Sequence, residues 1–171
     1  MKRAKRYPFI ELQRRRLSLN FENASSAADV PSEQDFYRWV WAALKDAYRR
    51  ADISLILLDE DEARAYNRDY RGKDYATNVL SFALNEGEIL PDQVSDGLYG
   101  DLIICPQVVL KEAAEQGKTA RQHFAHLTMH GTLHLMGYDH IEEDEAEVME
   151  AIEIRLLQAA GYPNPYQEDE L

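Results

Sequence analysis

Residues 130–140 read His-Gly-Thr-Leu-His-Leu-Met-Gly-Tyr-Asp-His, and no other stretch restricts the chain so tightly. His130 and His134 stand four residues apart. On an α-helix that separation is about 40° of rotation and about 6 Å of rise, so both imidazoles leave one face. Two ring nitrogens so placed can hold a metal ion at roughly 2.0–2.1 Å. On a straight helix His140 would lie about 15 Å beyond His130, out of reach of the same ion. Gly137 removes the difficulty. It follows His134 by three residues, where a glycine can adopt the left-handed conformation that ends a helix. The chain can then double back and bring His140 to the same point. Three histidine ligands leave one tetrahedral position open, as a catalytic zinc requires. The rest of the chain reads as a frame for this helix and turn.

The spacing H-x3-H-x2-G-x2-H is the skeleton of the metzincin zinc motif, with one departure. Gly131 stands where the peptidases carry their general-base glutamate, and a glycine cannot accept a proton. The metal cage is kept while the peptidase base is missing, so the pattern favours metal binding and opposes proteolysis. His126 precedes His130 by four residues. From His134 it is about 12 Å away along the axis, so it reads as a residue behind the ligands or in the core. His123 reads as a surface residue.

At 171 residues and 45% hydrophobic content the chain suits one domain with a real core. It has no run of about 18 apolar residues, so no membrane partner is expected. Residues 1–8 lack the apolar segment of a signal peptide. Cys105 is the only cysteine, which rules out an intrachain disulfide and fits a reducing cytoplasm. It reads as a packing residue. The net charge of −12 argues at first against a nucleic-acid partner. Its distribution matters more: Lys2, Arg3, Lys5, Arg6, Arg14, Arg15 and Arg16 face only Glu11 in the first sixteen residues. The expected organisation is a basic arm over 1–16, a single metal-dependent hydrolase domain over 17–163 and a polar tail over 164–171. The arm suits salt-sensitive phosphate contacts, and it equally suits a solvated terminus.

Alternation of apolar and polar residues over 17–21 predicts a half-buried strand. Ser32 and Asp35 form a capping-box pair for the next helix, with Phe36, Trp39, Val40, Ala43 and Ala47 as its apolar stripe. The near-continuous apolar run 53–58 predicts an interior strand. Asp59 and Glu62 are expected to cap a short helix that ends at Gly72, which puts Arg71 at a helix end beside a loop. Strands are expected over 77–84 and 100–105, with a loop between them. Pro106 suits the first turn of a helix. Thr119 and Gln122 open the histidine helix, which is apolar on several sides and therefore central. The acidic run 142–147 complements the start of a last helix, whose stripe is Met149, Ile152, Leu156 and Ala159. The order is β-α-β-α-β-β-α-α-α. From these residues alone the reading stops at a metal-dependent hydrolase.

Residues 130–140 also resemble the H-G-x-L-H-L-x-G-Y-D-H signature of the YbeY family. Asn67, Tyr70, Arg71, Asp74, Thr77, Val79, Leu80, Ser81 and Phe82 match a second segment of that family, and Gly100-Asp101-Leu102 resembles a third. Asn78 replaces the family's usual aspartate and Ala83 its usual proline. The resemblance implies an α+β, zincin-like fold: a mixed four-stranded β-sheet packed with about five helices, the central one carrying the zinc histidines. It implies a single-strand-specific, zinc-dependent endoribonuclease with one Zn2+ per chain on His130, His134 and His140. Arg71 would be the catalytic cation that stabilises phosphate charge. The implied partners are single-stranded RNA, ribosomal RNA and components of the small ribosomal subunit. The implied roles are 16S 3′ end maturation and ribosome quality control. Asp139 reads either as a partner orienting a histidine or as a turn residue. Two rival classes differ at the site. A structural zinc in an RNA-binding module needs a fourth ligand such as Asp139 or Asp144, and a metzincin-type peptidase needs the base that Gly131 lacks.

Overall fold

A computed structural model of the chain describes residues 16–84 and 97–167. The elements in chain order are β1 (Arg16–Asn23), α1 (Glu33–Leu44), β2 (Arg50–Leu57), α2 (Glu60–Arg71), β3 (Val79–Ala83), β4 (Gly97–Ile104), α3 (Pro106–Glu115), α4 (Ala120–Leu135) and α5 (Glu143–Ala159). This is an α+β fold with one mixed four-stranded sheet and five helices, in the order the sequence predicts. The basic arm falls outside the described residues except for Arg16, and most of the loop expected after β3 falls outside them too.

The strands lie in the order β1-β2-β4-β3. β1 pairs with β2 and β2 with β4 in parallel, while β3 runs antiparallel to β4 along one edge. β2 buries Ala51, Ile53, Leu55 and Leu57 on one face, and β4 buries Leu102, Ile103 and Ile104 in succession, as a strand covered on both faces should. α1 starts at the expected capping box, in which the Ser32 side chain accepts from the Asp35 amide and the Asp35 carboxylate accepts from the Ser32 amide. Its inward stripe is Phe36, Trp39, Val40 and Leu44; Ala47 lies beyond the helix end. Asp59 occupies the capping position of α2 but does not cap it. Its carboxylate accepts instead from Ser25 Oγ at 2.6 Å, Ser26 Oγ at 2.8 Å and Gln107 Nε2 at 2.5 Å, tying the segment after β1 to the start of α3.

α4 is the central helix. It packs against α1, α3, α5, β3 and β4, and buries side chains around most of its circumference. It approaches the sheet closely at Gly131. A Cβ there would lie 3.0 Å from both Leu102 Cδ2 and Val79 Cγ2 and 3.2 Å from Ser81 Oγ. Ser81 Oγ donates to the Gly131 carbonyl at 2.9 Å, so sheet side chains reach the helix backbone where α4 has no side chain of its own. Arg121 near the start of α4 donates to Asp35 of α1 at 2.7 Å and lies over the Trp39 ring, 5.4 Å from its centroid.

Two stability predictions follow from this packing. Alanine at 131 gains at most about 1 kcal/mol of helix propensity and costs about 1–3 kcal/mol of overpacking. Gly131→Ala should therefore lower the unfolding free energy by about 1 kcal/mol in denaturant titrations, and Gly131→Val by more. An alanine protein more stable than wild type would contradict the close approach. The second concerns Asp35. The hydrogen bond from Arg121 holds its carboxyl well below the usual carboxylate range, and the bonds from Ser32 add to this. A folded-state pKa below the unfolded value of about 3.9 stabilises above that pH and is lost as pH falls toward the folded value. Asp35→Asn should cost no more than about 1 kcal/mol at neutral pH, since the Arg121 end is half exposed. The gap between the two proteins should close as melts are repeated from pH about 4 downward.

Candidate metal centre

α4 begins as expected at Thr119, whose hydroxyl accepts from the Gln122 amide at 3.2 Å. It ends in the turn that Gly137 predicts. Gly137 has φ of 98°. Its amide donates to the His134 carbonyl at 3.0 Å, and the Tyr138 amide donates to the Leu133 carbonyl at 3.1 Å. These two bonds define a Schellman motif, and a side chain at the left-handed position would be strained. The turn sends residues 138–140 back toward the helix face.

His130, His134 and His140 are thereby brought together. One ring nitrogen from each lies within 4.8 Å of the others. The Nε2 atoms of His130 and His134 are 3.0 Å apart, and the His140 ring centroid is 5.0 Å from that of His134 and 5.6 Å from that of His130. Nitrogens at about 2.05 Å from a tetrahedral ion are about 3.3 Å apart, so the donor set fits a metal such as zinc. Burial, and after it the charges of His130 and His140, push the His134 imidazole down in pKa. That shift favours the neutral form, which a ligand needs. Among the described residues no fourth side chain joins this group. The Asp139 carboxylate accepts from the His140 amide at 2.8 Å and lies 3.5 Å from His140 Nδ1.

The three rings open onto a cleft of about 650 Å³ that is also lined by Arg71, Lys73, Tyr75 and Tyr138. Arg71 reaches from the end of α2 to β3, donating one Nη to the Ser81 carbonyl at 2.8 Å, with its guanidinium 5.8 Å from the Phe82 ring centroid. Gly131 faces the sheet, not the cleft, and a glutamate there would collide with Leu102 and Val79. Asn78 has a local reason. Its amide donates to both oxygens of Glu112, at 3.1 and 3.2 Å, while its Oδ1 accepts from the Val79 amide. An aspartate would set two carboxylates against each other.

Behind the three rings the same helix carries two more histidines. His123 is 3% exposed, contrary to the surface position expected for it, and its Nε2 lies 2.8 Å from Glu112 Oε2. His126 is buried as expected and donates Nε2–H to Glu153 Oε2 at 2.8 Å. Glu153, on α5, is fully buried. It also accepts from His130 Nδ1 and from the Tyr166 hydroxyl. Burial pushes its carboxyl up, but the hydrogen bonds and charges of His126 and His130 outweigh that and hold it at about 2. The sequence reading missed Glu153. It set the inward stripe of α5 on Met149, Ile152, Leu156 and Ala159; Met149 is buried as expected, but the row continues through Glu153 and Leu157. The signal that could have found it is a lone carboxylate at four-residue spacing between two apolar residues.

Fold and site together define an α+β protein whose central helix and following turn present three histidines able to hold a metal ion. A family model described as Endoribonuclease YbeY matches residues 20–161. The chain is 83% identical over 169 residues to a protein of Neisseria meningitidis serogroup B named Endoribonuclease YbeY, covering 99% of this chain and 100% of that protein. It is 48% identical over 171 residues to the Chromobacterium violaceum protein of the same name, covering all of both. The fold is similar to the solution structure of TM1509 from Thermotoga maritima, with a TM-score of 0.57, 21% identity, and coverage of 90% of this chain and 99% of that one. The chain belongs to the YbeY family. Among the described residues no helix is long and apolar enough to cross a membrane.

The geometry sets an expected metal content. Protein purified with zinc should carry close to one ion per chain by elemental analysis, and His134→Ala should carry almost none. Full retention in the variant would refute the three-histidine centre.

Proposed function

We propose that the chain is a zinc-dependent endoribonuclease that cuts single-stranded RNA, with residues 17–163 as its catalytic body. In this reading it works in the cytoplasm on ribosomal RNA, at the 16S 3′ end and in ribosome quality control, beside small-subunit components. The observation that carries the chemistry is the convergence of His130, His134 and His140 with Arg71 on one open cleft. Membership of the YbeY family supports the substrate and the ribosomal setting.

Zinc, when bound, supplies Lewis-acid chemistry, polarising a phosphoryl oxygen and making water nucleophilic near neutral pH. The chain's own residues supply the remainder. The three imidazoles hold and orient the ion. Cleavage builds negative charge on the phosphate oxygens, and a fixed cation nearby lowers that barrier. Arg71 is such a cation. Its bond to the Ser81 carbonyl uses one donor and fixes the guanidinium, leaving the other N–H groups of the planar fork for phosphate. No carboxylate stands at 131 to take a proton from water in the peptidase manner, and the sheet leaves no room for one.

Arg71→Ala should keep zinc content and melting temperature near wild type and slow single-turnover RNA cleavage by about 10²–10³-fold. Arg71→Lys should recover part of that loss, because lysine keeps the charge without the fork. Wild-type cleavage by the alanine protein would remove Arg71 from the chemistry. Zinc-loaded protein that leaves single-stranded RNA intact would refute the nuclease reading itself. Small subunits carrying precursor RNA that emerge with unchanged 3′ ends would refute the ribosomal assignment.

A further inference from the structure

The three groups on Glu153 come from two separate parts of the chain. His126 and His130 are on α4, and Tyr166 lies seven residues past the end of α5. The segment that carries Tyr166 is fastened down. Lys118, in the loop before α4, donates Nζ to the Pro165 carbonyl at 2.7 Å, Pro165 is buried, and the Tyr166 amide donates to Asn164 Oδ1 at 2.9 Å.

We propose that Glu153 is the positioning residue of the metal centre, and that the C-terminal segment holds it in place through Tyr166. This rests on the three-histidine metal reading above. A neutral imidazole carries one ring proton, and the nitrogen without it is the ligand. His130 Nδ1 points at Glu153 Oε1, which accepts the ring N–H there, so the His130 proton sits on Nδ1. The lone pair of His130 Nε2 then points at His134 and the cleft. The two oxygens of Glu153 divide the work: Oε1 takes His130, and Oε2 takes His126 and the Tyr166 hydroxyl. The second pair keeps the carboxylate from turning away from the first.

Core packing gives no reason for a carboxylate here. Met149 and Leu157 flank Glu153 on the same buried row, and a leucine between them would complete it without an ion to desolvate. What the carboxylate adds is the direction of a ligand. Partners of this kind typically change metal affinity by about 10–100-fold when removed.

The test uses the full chain as wild type, Glu153→Gln and Tyr166→Phe. Two-bond proton–nitrogen correlation spectra of the metal-free wild type should show His130 as the Nδ1–H tautomer; the Nε2–H tautomer would overturn the proposal. Zinc affinity by competition with a chromophoric chelator should fall about 10–100-fold in Glu153→Gln. The cobalt-substituted variant should show shifted ligand-field bands. Tyr166→Phe changes a tail residue that can be altered without endangering the core, so it keeps the proposal testable if Glu153→Gln fails to fold. It should shift the same bands and weaken zinc a few-fold. Unchanged spectra and affinity in Tyr166→Phe would refute the role of the tail, and the same result in Glu153→Gln would refute the role of the carboxylate. Two ions per chain, the second lost in His126→Ala, would make Glu153 a ligand and also overturn the proposal. A wild type that binds no zinc would instead sink the metal reading on which this depends.

Discussion

The arrangement of this protein depends on the contact between α4 and the sheet at Gly131. With no side chain in the way, the helix backbone rests on Leu102, Val79 and Ser81. That contact fixes the rotation of the helix about its own axis, and at about 100° per residue the directions of all other positions follow. His130 and His134 turn to the cleft, while His123 and His126 turn to the interior beneath α3 and α5. A histidine stripe thus crosses an otherwise apolar helix, from deep burial at its start to the open cleft at its end. Each interior ring is met by a carboxylate from a different helix, Glu112 for His123 and Glu153 for His126.

Electrostatics at the cleft differ from those of the chain as a whole. A net charge of −12 suggests a surface that repels nucleic acid. The cleft wall instead places Arg71 and Lys73 beside the three imidazoles. Nearby carboxylates have partners: Asp139 lines the cleft but accepts from the His140 amide, Asp74 pairs with Arg64, and Glu112 with Asn78 and His123. An anionic ligand meets the local field before it feels the sum.

Much of the fold was legible because it rests on local rules. The order of elements, the capping box at Ser32, the cap at Thr119 and the glycine turn after Leu135 are all properties of a few consecutive residues. The three histidines were legible because one glycine could reconcile two incompatible spacings. What escaped the reading depends on distant partners. Asp59 has the right place to cap a helix, yet two serines and a glutamine from elsewhere compete successfully for its carboxylate. His123 is buried because α3 supplies Glu112. Glu153 was hidden because the expected stripe stepped from Met149 to Ile152, one residue short of it, and nothing local to α5 announces that its partners lie on α4 and beyond residue 160. The edge position of β3 is also a tertiary result, since five residues of strand carry no mark of which neighbour they join.

The ligands are unequal in origin. His130 and His134 stand on a helix that the apolar core holds unaided, and only His140 comes from the turn beyond it. An ion bound to these rings therefore finds two-thirds of its coordination preorganised and has to order only a short segment for the remainder. Its effect on folding is then one of mass action, growing as the logarithm of free metal over its dissociation constant. Chelation should strip that increment and loosen the connection into α5 while the sheet and α4 stay folded. This is the reverse of small zinc modules, in which the ion and the fold are lost together.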